Sequence, residues 1–166
     1  MKALILCAGN GTRLGLKTTP KCMAKVNGKP ILEHLVNHLN KAGITEIIVN
    51  VHNNYEKIFK YFGTRVLYLY EPVLLGEAGT EDLLQDWLGS RYIVMNGDTL
   101  TNIDINKLLA LPNVYFYKNN RYAGTKYINN TYRTINLIDD PDWYYFDCGT
   151  PSKLAKARRY YKRFKR

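Results

Sequence analysis

Apolar positions along the chain fall into short continuous runs separated by segments with helical spacing. The first run, Ala3 to Ala8, reads as a buried strand, and a loop holding Gly9, Gly11 and Gly15 follows it. Cys22 to Val26 reads as a short strand. Asn27-Gly28-Lys29-Pro30 reads as a turn with a proline near a helix start. In ILEHLVNHLNKAG, residues Ile31, Leu32, Leu35, Val36 and Leu39 share one helical face, and Gly43 stops the helix. The pattern then predicts a buried strand at Thr45 to Val51, a helix at Tyr55 to Phe62 closed by Gly63, and a strand at Arg65 to Tyr70. A helix over 78–88 and a short strand at Tyr92 to Met95 complete this half. Strands alternating with helices predict βαβ units, hence an α/β fold with a mostly parallel sheet. The middle is less patterned: a short helix at Ile105 to Leu111, strands at Val114 to Tyr117 and Tyr132 to Leu137, and an acidic turn at Asp139, Asp140 and Asp142.

Composition narrows the class. A chain of 166 residues with 46% hydrophobic content and 14 tyrosines predicts a single globular domain, residues 1–166, with a core of its own. No apolar run reaches the roughly 18 residues of a membrane-spanning helix. The start of the chain lacks a signal-peptide pattern, and Cys7, Cys22 and Cys148 have no metal-ligand spacing. Free thiols in a cytoplasmic protein are the simplest expectation.

The net charge of +10 is unevenly placed. Residues 153–166 form a predicted basic C-terminal helix with eight Lys/Arg and no acid; the other 152 residues hold 16 Lys/Arg against 14 Asp/Glu. The body is nearly neutral. Specific nucleic-acid binding is not expected, because no recognised nucleic-acid module accompanies the basic segment.

The candidate chemistry lies in the first loop. Glycines let backbone N–H groups approach phosphate, and Arg13 and Lys21 add a planar fork and a compact charge. The spacing matches neither common glycine fingerprint: Leu14 stands where a dinucleotide loop or a P-loop needs its next glycine. In a parallel sheet, ligands sit at the carboxyl ends of strands, where this loop falls. The strand ending near Met95 runs into Asn96-Gly97-Asp98, and Asp147 sits in a second such setting. Each aspartate alone reads first as a turn residue; converging on triphosphate oxygens, the two would hold Mg²⁺. His34, His38 and His52 make no metal set, and the acidic turn reads as solvated.

Together, LILCAGNGTRL, the TPK around Lys21, VNGKPILEHLVNHLNKAGITEIIVNV, YEPVLLGEAGT, MNGDTL and FDCGTP resemble the sugar-phosphate nucleotidyltransferases, the group containing mannose-1-phosphate guanylyltransferase and glucose-1-phosphate thymidylyltransferase. The resemblance implies a Rossmann-like α/β/α fold and transfer of a nucleotidyl group from a nucleoside triphosphate to a sugar 1-phosphate, GTP favoured, with release of pyrophosphate. It implies that Ala8, Gly9, Gly11 and Thr12 contact base and phosphates, that Arg13 holds the β,γ-phosphates and that Lys21 neutralises the α-phosphate. Gly76 and Gly79 would lie near base and ribose, and Asp98 and Asp147 would bind Mg²⁺. The chain departs from the family at Asn10, where a second glycine is common, and after Leu14, where a proline is absent. It is also shorter than most members between Asp98 and Asp147. There Gly124 and Lys126 are the only sugar-phosphate candidates. A homo-oligomer stays open. So do a CTP-dependent enzyme acting on phosphocholine and a non-catalytic nucleotide or nucleic-acid binding module.

Overall fold

A computed structural model describes residues 1–11, 14–15 and 18–161. Seven strands form one sheet in the order β10-β8-β9-β6-β1-β4-β5. They are β1 (Lys2–Leu6), β4 (Glu46–Val51), β5 (Leu67–Tyr70), β6 (Arg91–Asn96), β8 (Val114–Lys118), β9 (Arg121–Asn129) and β10 (Asn136–Ile138). Only β9 runs antiparallel to its neighbours; β4–β5, β1–β4, β1–β6 and β8–β10 are parallel pairs. Ala3, Leu4 and Ile5 of β1 are fully buried, as expected for a central parallel strand covered on both faces.

Helix α1 (Ile31–Lys41) follows the predicted stripe, with Ile31, Leu32, Leu35, Val36 and Leu39 buried, and Gly43 ends it at φ +77°. Helix α2 (Glu56–Phe62) closes on Gly63. The helix expected over 78–88 is two pieces, α3 (Gly76–Leu83) and α4 (Gln85–Leu88). The strand expected at Cys22 to Val26 is a 3₁₀ turn at Lys21–Met23 followed by a hairpin. Its strands β2 (Lys25–Val26) and β3 (Lys29–Pro30) turn through Asn27 and Gly28, both at positive φ. Helix α5 (Ile105–Leu109) is capped by Asp104, whose side chain accepts from the Asn106 and Lys107 amides.

Two further strands set the site. The short strands β7 (Thr99–Thr101) and β11 (Tyr145–Asp147) pair antiparallel outside the main sheet. Helix α6 (Pro151–Tyr161) then buries Leu154, Ala157 and Tyr161 and leaves its lysines and arginines outside. No helix among the described residues is long and apolar enough to cross a membrane.

Candidate active site

The loop after β1 is held from beneath by Asn50, a polar residue inside the apolar strand β4. Its Oδ1 accepts from the Cys7 amide (2.6 Å) and the Ala8 amide (3.3 Å). Its Nδ2 donates to Glu71 Oε1 (2.9 Å). Thr80 of α3 donates to the same Glu71 oxygen (2.5 Å), and Glu71 Oε2 accepts from the Leu75 amide (3.2 Å). All three side chains are buried. This network joins the loop that holds Ala8, Gly9 and Gly11 to the start of α3, which holds Gly76 and Gly79. Buried polar groups are costly unless partnered, so such a network fixes one geometry. Gly11 adopts φ +68°, and its Cα faces the Lys21 stem: a Cβ there would lie 3.4 Å from Lys21 Cγ. Thr12 and Arg13 lie outside the described residues.

The Asp98 turn lies beside this loop because β6 and β1 pair in register to their ends. The Gly97 amide donates to the Leu6 carbonyl (2.9 Å). A side chain at Gly97 would collide with Cys7 Sγ and lie 2.7 Å from the Leu6 oxygen, so only glycine admits this approach. Lys21 Nζ stands 3.6 Å from Asp98 Oδ2, closing a small cleft of about 80 Å³ lined by Cys7, Gly9, Cys22 and Gly97.

Asp147 reaches Asp98 by backbone register. In the β7–β11 pair it lies opposite Thr99, and the Cys148 amide donates to the Asp98 carbonyl (2.8 Å). Both carboxylates turn towards Gly149. A Cβ at Gly149 would stand 2.9 Å from Asp147 Oδ1 and 3.2 Å from Asp98 Oδ2. The Gly149 amide donates to Asp147 Oδ1 (2.7 Å), and the Lys153 ammonium sits on Asp147 Oδ2. Two convergent carboxylate oxygens balanced by Lys21 and Lys153 fit a hard divalent cation. No group of three or more His, Cys, Asp or Glu gathers among the described residues. The protein would therefore supply two oxygen ligands and leave the rest to phosphate and water.

Two of the thiols nearby, Cys7 and Cys148, sit in surroundings that disfavour the thiolate. Burial first, then neighbouring Cys22 and Asp98, pushes Cys7 well above the ordinary thiol value. Burial and the two aspartates push Cys148 up to about 12. Both stay protonated at neutral pH, and a thiol that stays protonated is inert. All three cysteines are free and buried.

Of the sugar-phosphate candidates, one lies at the site and one does not. Gly124 (φ +71°) packs its backbone on Asn96: a Cβ would stand 2.9 Å from Asn96 Nδ2. Lys126 instead binds Glu77 (2.7 Å) and Glu81 (2.6 Å) of α3. Burial would lower its pKa, but the two carboxylates outweigh burial and hold it above the ordinary value. The structure brings Lys126 to α3 and not to the aspartates. The acidic turn serves as scaffold: Asp139 pairs with Lys118 (3.0 Å) and Asp140 with Lys107 (3.4 Å).

Sequence reasoning missed a basic pocket of about 560 Å³ beside Asp147, lined by Lys118, Arg121, Lys153 and Lys156 with Tyr122 and Tyr145. Lys153 and Lys156 were visible only as part of a charge excess. Nothing in the sequence joined them to the β8–β9 turn. Asn50 carried a readable signal, a lone amide inside an apolar strand.

Relatives share this arrangement of strands. The profile of the MobA-like NTP transferase domain matches residues 3–110. A D-glycero-alpha-D-manno-heptose 1-phosphate guanylyltransferase from Campylobacter jejuni is 41% identical over 115 residues, covering 65% of this chain and 52% of that protein. This chain thus spans about half the length of that relative. A Bacillus anthracis structure assigned as a glucose-1-phosphate thymidylyltransferase superposes with a TM-score of 0.81 at 18% identity, covering 96% of this chain and 94% of that one. A CTP:phosphocholine cytidylyltransferase from Streptococcus pneumoniae superposes with a TM-score of 0.74 at 18% identity, covering 95% and 97%. At such identities the superpositions show a shared Rossmann-like α/β fold. With the profile covering the glycine loop, β1, β4, β6 and the Asp98 turn, the chain belongs to the MobA-like NTP transferase family.

Proposed function

We propose that this chain is an Mg²⁺-dependent nucleotidyltransferase that moves a nucleoside monophosphate, GMP by preference, onto a sugar 1-phosphate and releases pyrophosphate. The convergence of Asp98 and Asp147 on one point beside Lys21 and the glycine loop carries this reading. The 41% identity to a heptose 1-phosphate guanylyltransferase supports the choice of sugar and base.

An acceptor phosphate oxygen attacks the α-phosphorus, a P–O bond forms, and the bond to the β-phosphate breaks. The acceptor is already ionised, so no side chain must remove a proton. The chain positions the reactants and neutralises charge. Gly9 and Gly11 leave room for the phosphates, while Asn50 fixes the Cys7 and Ala8 amides from behind. Lys21 adds charge at the α-phosphate, and Arg13 is assigned to the pyrophosphate end. When bound between Asp98 and Asp147, Mg²⁺ supplies charge neutralisation on the phosphate oxygens.

Arg121 and Lys156, which line the basic pocket without an acidic partner among the described residues, disfavour the phosphocholine reading, because each would repel a quaternary ammonium. A module that only binds anions would gain nothing from two carboxylates at the phosphate loop. The free cysteines fit a reducing compartment such as the cytoplasm.

Pyrophosphate release tests the reading. Four nucleoside triphosphates are crossed with mannose 1-phosphate, glucose 1-phosphate and phosphocholine, with Mg²⁺ and with chelator. Release with GTP and a sugar 1-phosphate, lost on chelation, is expected. Release only with CTP and phosphocholine, or none in any pairing, overturns it.

A further inference from the structure

We propose that the acceptor carries a second anionic group besides the phosphate that is joined to the nucleotide, and that Arg121 and Lys156 receive it. The proposal rests on the nucleotidyl-transfer reading above and concerns the basic pocket beside Asp147.

The pocket's cations differ in what already holds them. Lys118 is engaged: it pairs with Asp139 (3.0 Å) and donates to the Asp140 carbonyl (2.7 Å). The Asn119 amide donates to Asp139 Oδ2 (3.1 Å). These contacts pin the β8–β9 turn, where Asn119 and Asn120 both sit at positive φ. Arg121 is the register partner of Lys118 across that turn, so it is presented from an anchored hairpin. Arg121 has no acidic partner among the described residues, and neither does Lys156. Lys153 rests on Asp147. A divalent cation held by that carboxylate would compete with the ammonium and free Lys153 for a ligand in the pocket it lines.

Three cations would then face a ligand, with Asp147 engaged by the metal. An ionised phosphate monoester brings about two negative charges at neutral pH. That phosphate must lie near Asp147 to reach the nucleotide, which suits Lys153. Arg121, on the opposite hairpin, and Lys156, one turn further along α6, exceed what it needs. A pocket of about 560 Å³ is large enough for a hexose-sized ring between the two ends. A second phosphate or a carboxylate at the far end matches the guanidinium fork. The acceptor class is therefore a sugar phosphate with two separate anionic groups, such as a sugar bisphosphate or a uronic acid 1-phosphate.

Calorimetric titration of the full chain with Mg²⁺ tests this, using glucose 1-phosphate, glucose 1,6-bisphosphate and glucuronic acid 1-phosphate as probes. The two probes with a second anionic group should bind about ten-fold tighter than the monophosphate. Arg121→Gln with Lys156→Gln should erase that preference and leave monophosphate affinity within about two-fold. Lys41→Gln with Lys60→Gln, both exposed and outside the pocket, is the charge-matched control and should keep it. Equal binding of all three probes, a preference that survives the double substitution, or an equal loss in the control overturns the proposal. Pyrophosphate release from the same three probes, with GTP added alongside Mg²⁺, reads the other claim. Release without a probe preference sinks the second anionic group alone, whereas a pocket-dependent preference without release sinks nucleotidyl transfer alone.

Discussion

The two flanks of the crevice, which the proposed function assigns to nucleotide and to acceptor, are built by different means. On the nucleotide flank, the loop after β1 is tied down by Asn50, Glu71 and Thr80, all buried and all hydrogen-bonded to one another or to backbone. On the acceptor flank, Asp147, Gly149 and Lys153 are placed by the short β7–β11 pair and the first turn of α6, with charge on the surface. One flank takes its geometry from the interior, and the other from backbone register plus exposed ions. Damage to the first should therefore cost stability along with function. Damage to the second should cost function with little effect on stability.

The seam between the flanks should show the largest effect. Asp98→Asn and Asp147→Asn each remove one of the convergent carboxylates. Each should lower kcat about 10²- to 10³-fold, the scale for losing one charge-stabilising contact at the reacting phosphate. Far-ultraviolet circular dichroism should be unchanged. Full activity in both would end the metal assignment.

Next comes the nucleotide flank. Asn50→Ala leaves the Cys7 amide and Glu71 without their buried partner, at a cost of about 2–3 kcal/mol. For a chain of this size that is a fall in Tm of roughly 4–12 °C. KM for the triphosphate should rise while KM for the acceptor stays put. A normal melting curve would mean that the loop holds itself.

Legibility in the sequence divides along the same line. β1, α1 and β4 are contiguous segments whose own periodicity marks them, and they emerge as expected. Strand β9 was not legible: Ala123, Gly124, Thr125, Lys126 and Tyr127 are all buried, so no alternation marks it. Its lysine is buried only because Glu77 and Glu81, over forty residues earlier, neutralise it. The pairing of Asp98 with Asp147 likewise depends on a register between two three-residue strands, which leaves no local pattern. The resemblance to the nucleotidyltransferases supplied that pairing, and it supplied nothing for Arg121 or Lys156.

The acceptor flank gives a smaller and cleaner test. Gly149→Ala would push a methyl to within 2.9 Å of Asp147 Oδ1 and 3.2 Å of Asp98 Oδ2. The carboxylates must part by a few tenths of an ångström. A drop of about ten-fold in kcat is expected, equivalent to about 1.4 kcal/mol at the transition state. Tm should move by less than about 3 °C, because the methyl displaces partly exposed groups. A collapse in Tm would contradict the contrast between the flanks.

The smallest effect belongs to an ion pair remote from both flanks, which serves as the reference. Arg65 holds Glu33 of α1 through two bonds, Nη2 to Oε2 at 2.9 Å and Nη1 to Oε1 at 3.3 Å. Burial alone would raise the Glu33 pKa; the Arg65 guanidinium and the Asn37 amide together outweigh burial and lower it below the ordinary 4.5. A carboxyl whose folded pKa lies below its unfolded value stabilises the fold fully above about 4.5, and loses that contribution as pH falls through the folded value. Arg65 is 47% exposed, so solvent screening limits the pair to about 0.5–1 kcal/mol. Arg65→Gln should thus lower stability by that amount at pH 7, and by less at a pH well below 4.5, where the carboxyl gains its proton. Pyrophosphate release at pH 7 should not change. Urea titrations at the two pH values read the difference. A gap that persists at low pH would assign the loss to the packing of Arg65 over the Phe62 ring, 4.7 Å away, and not to its charge on Glu33.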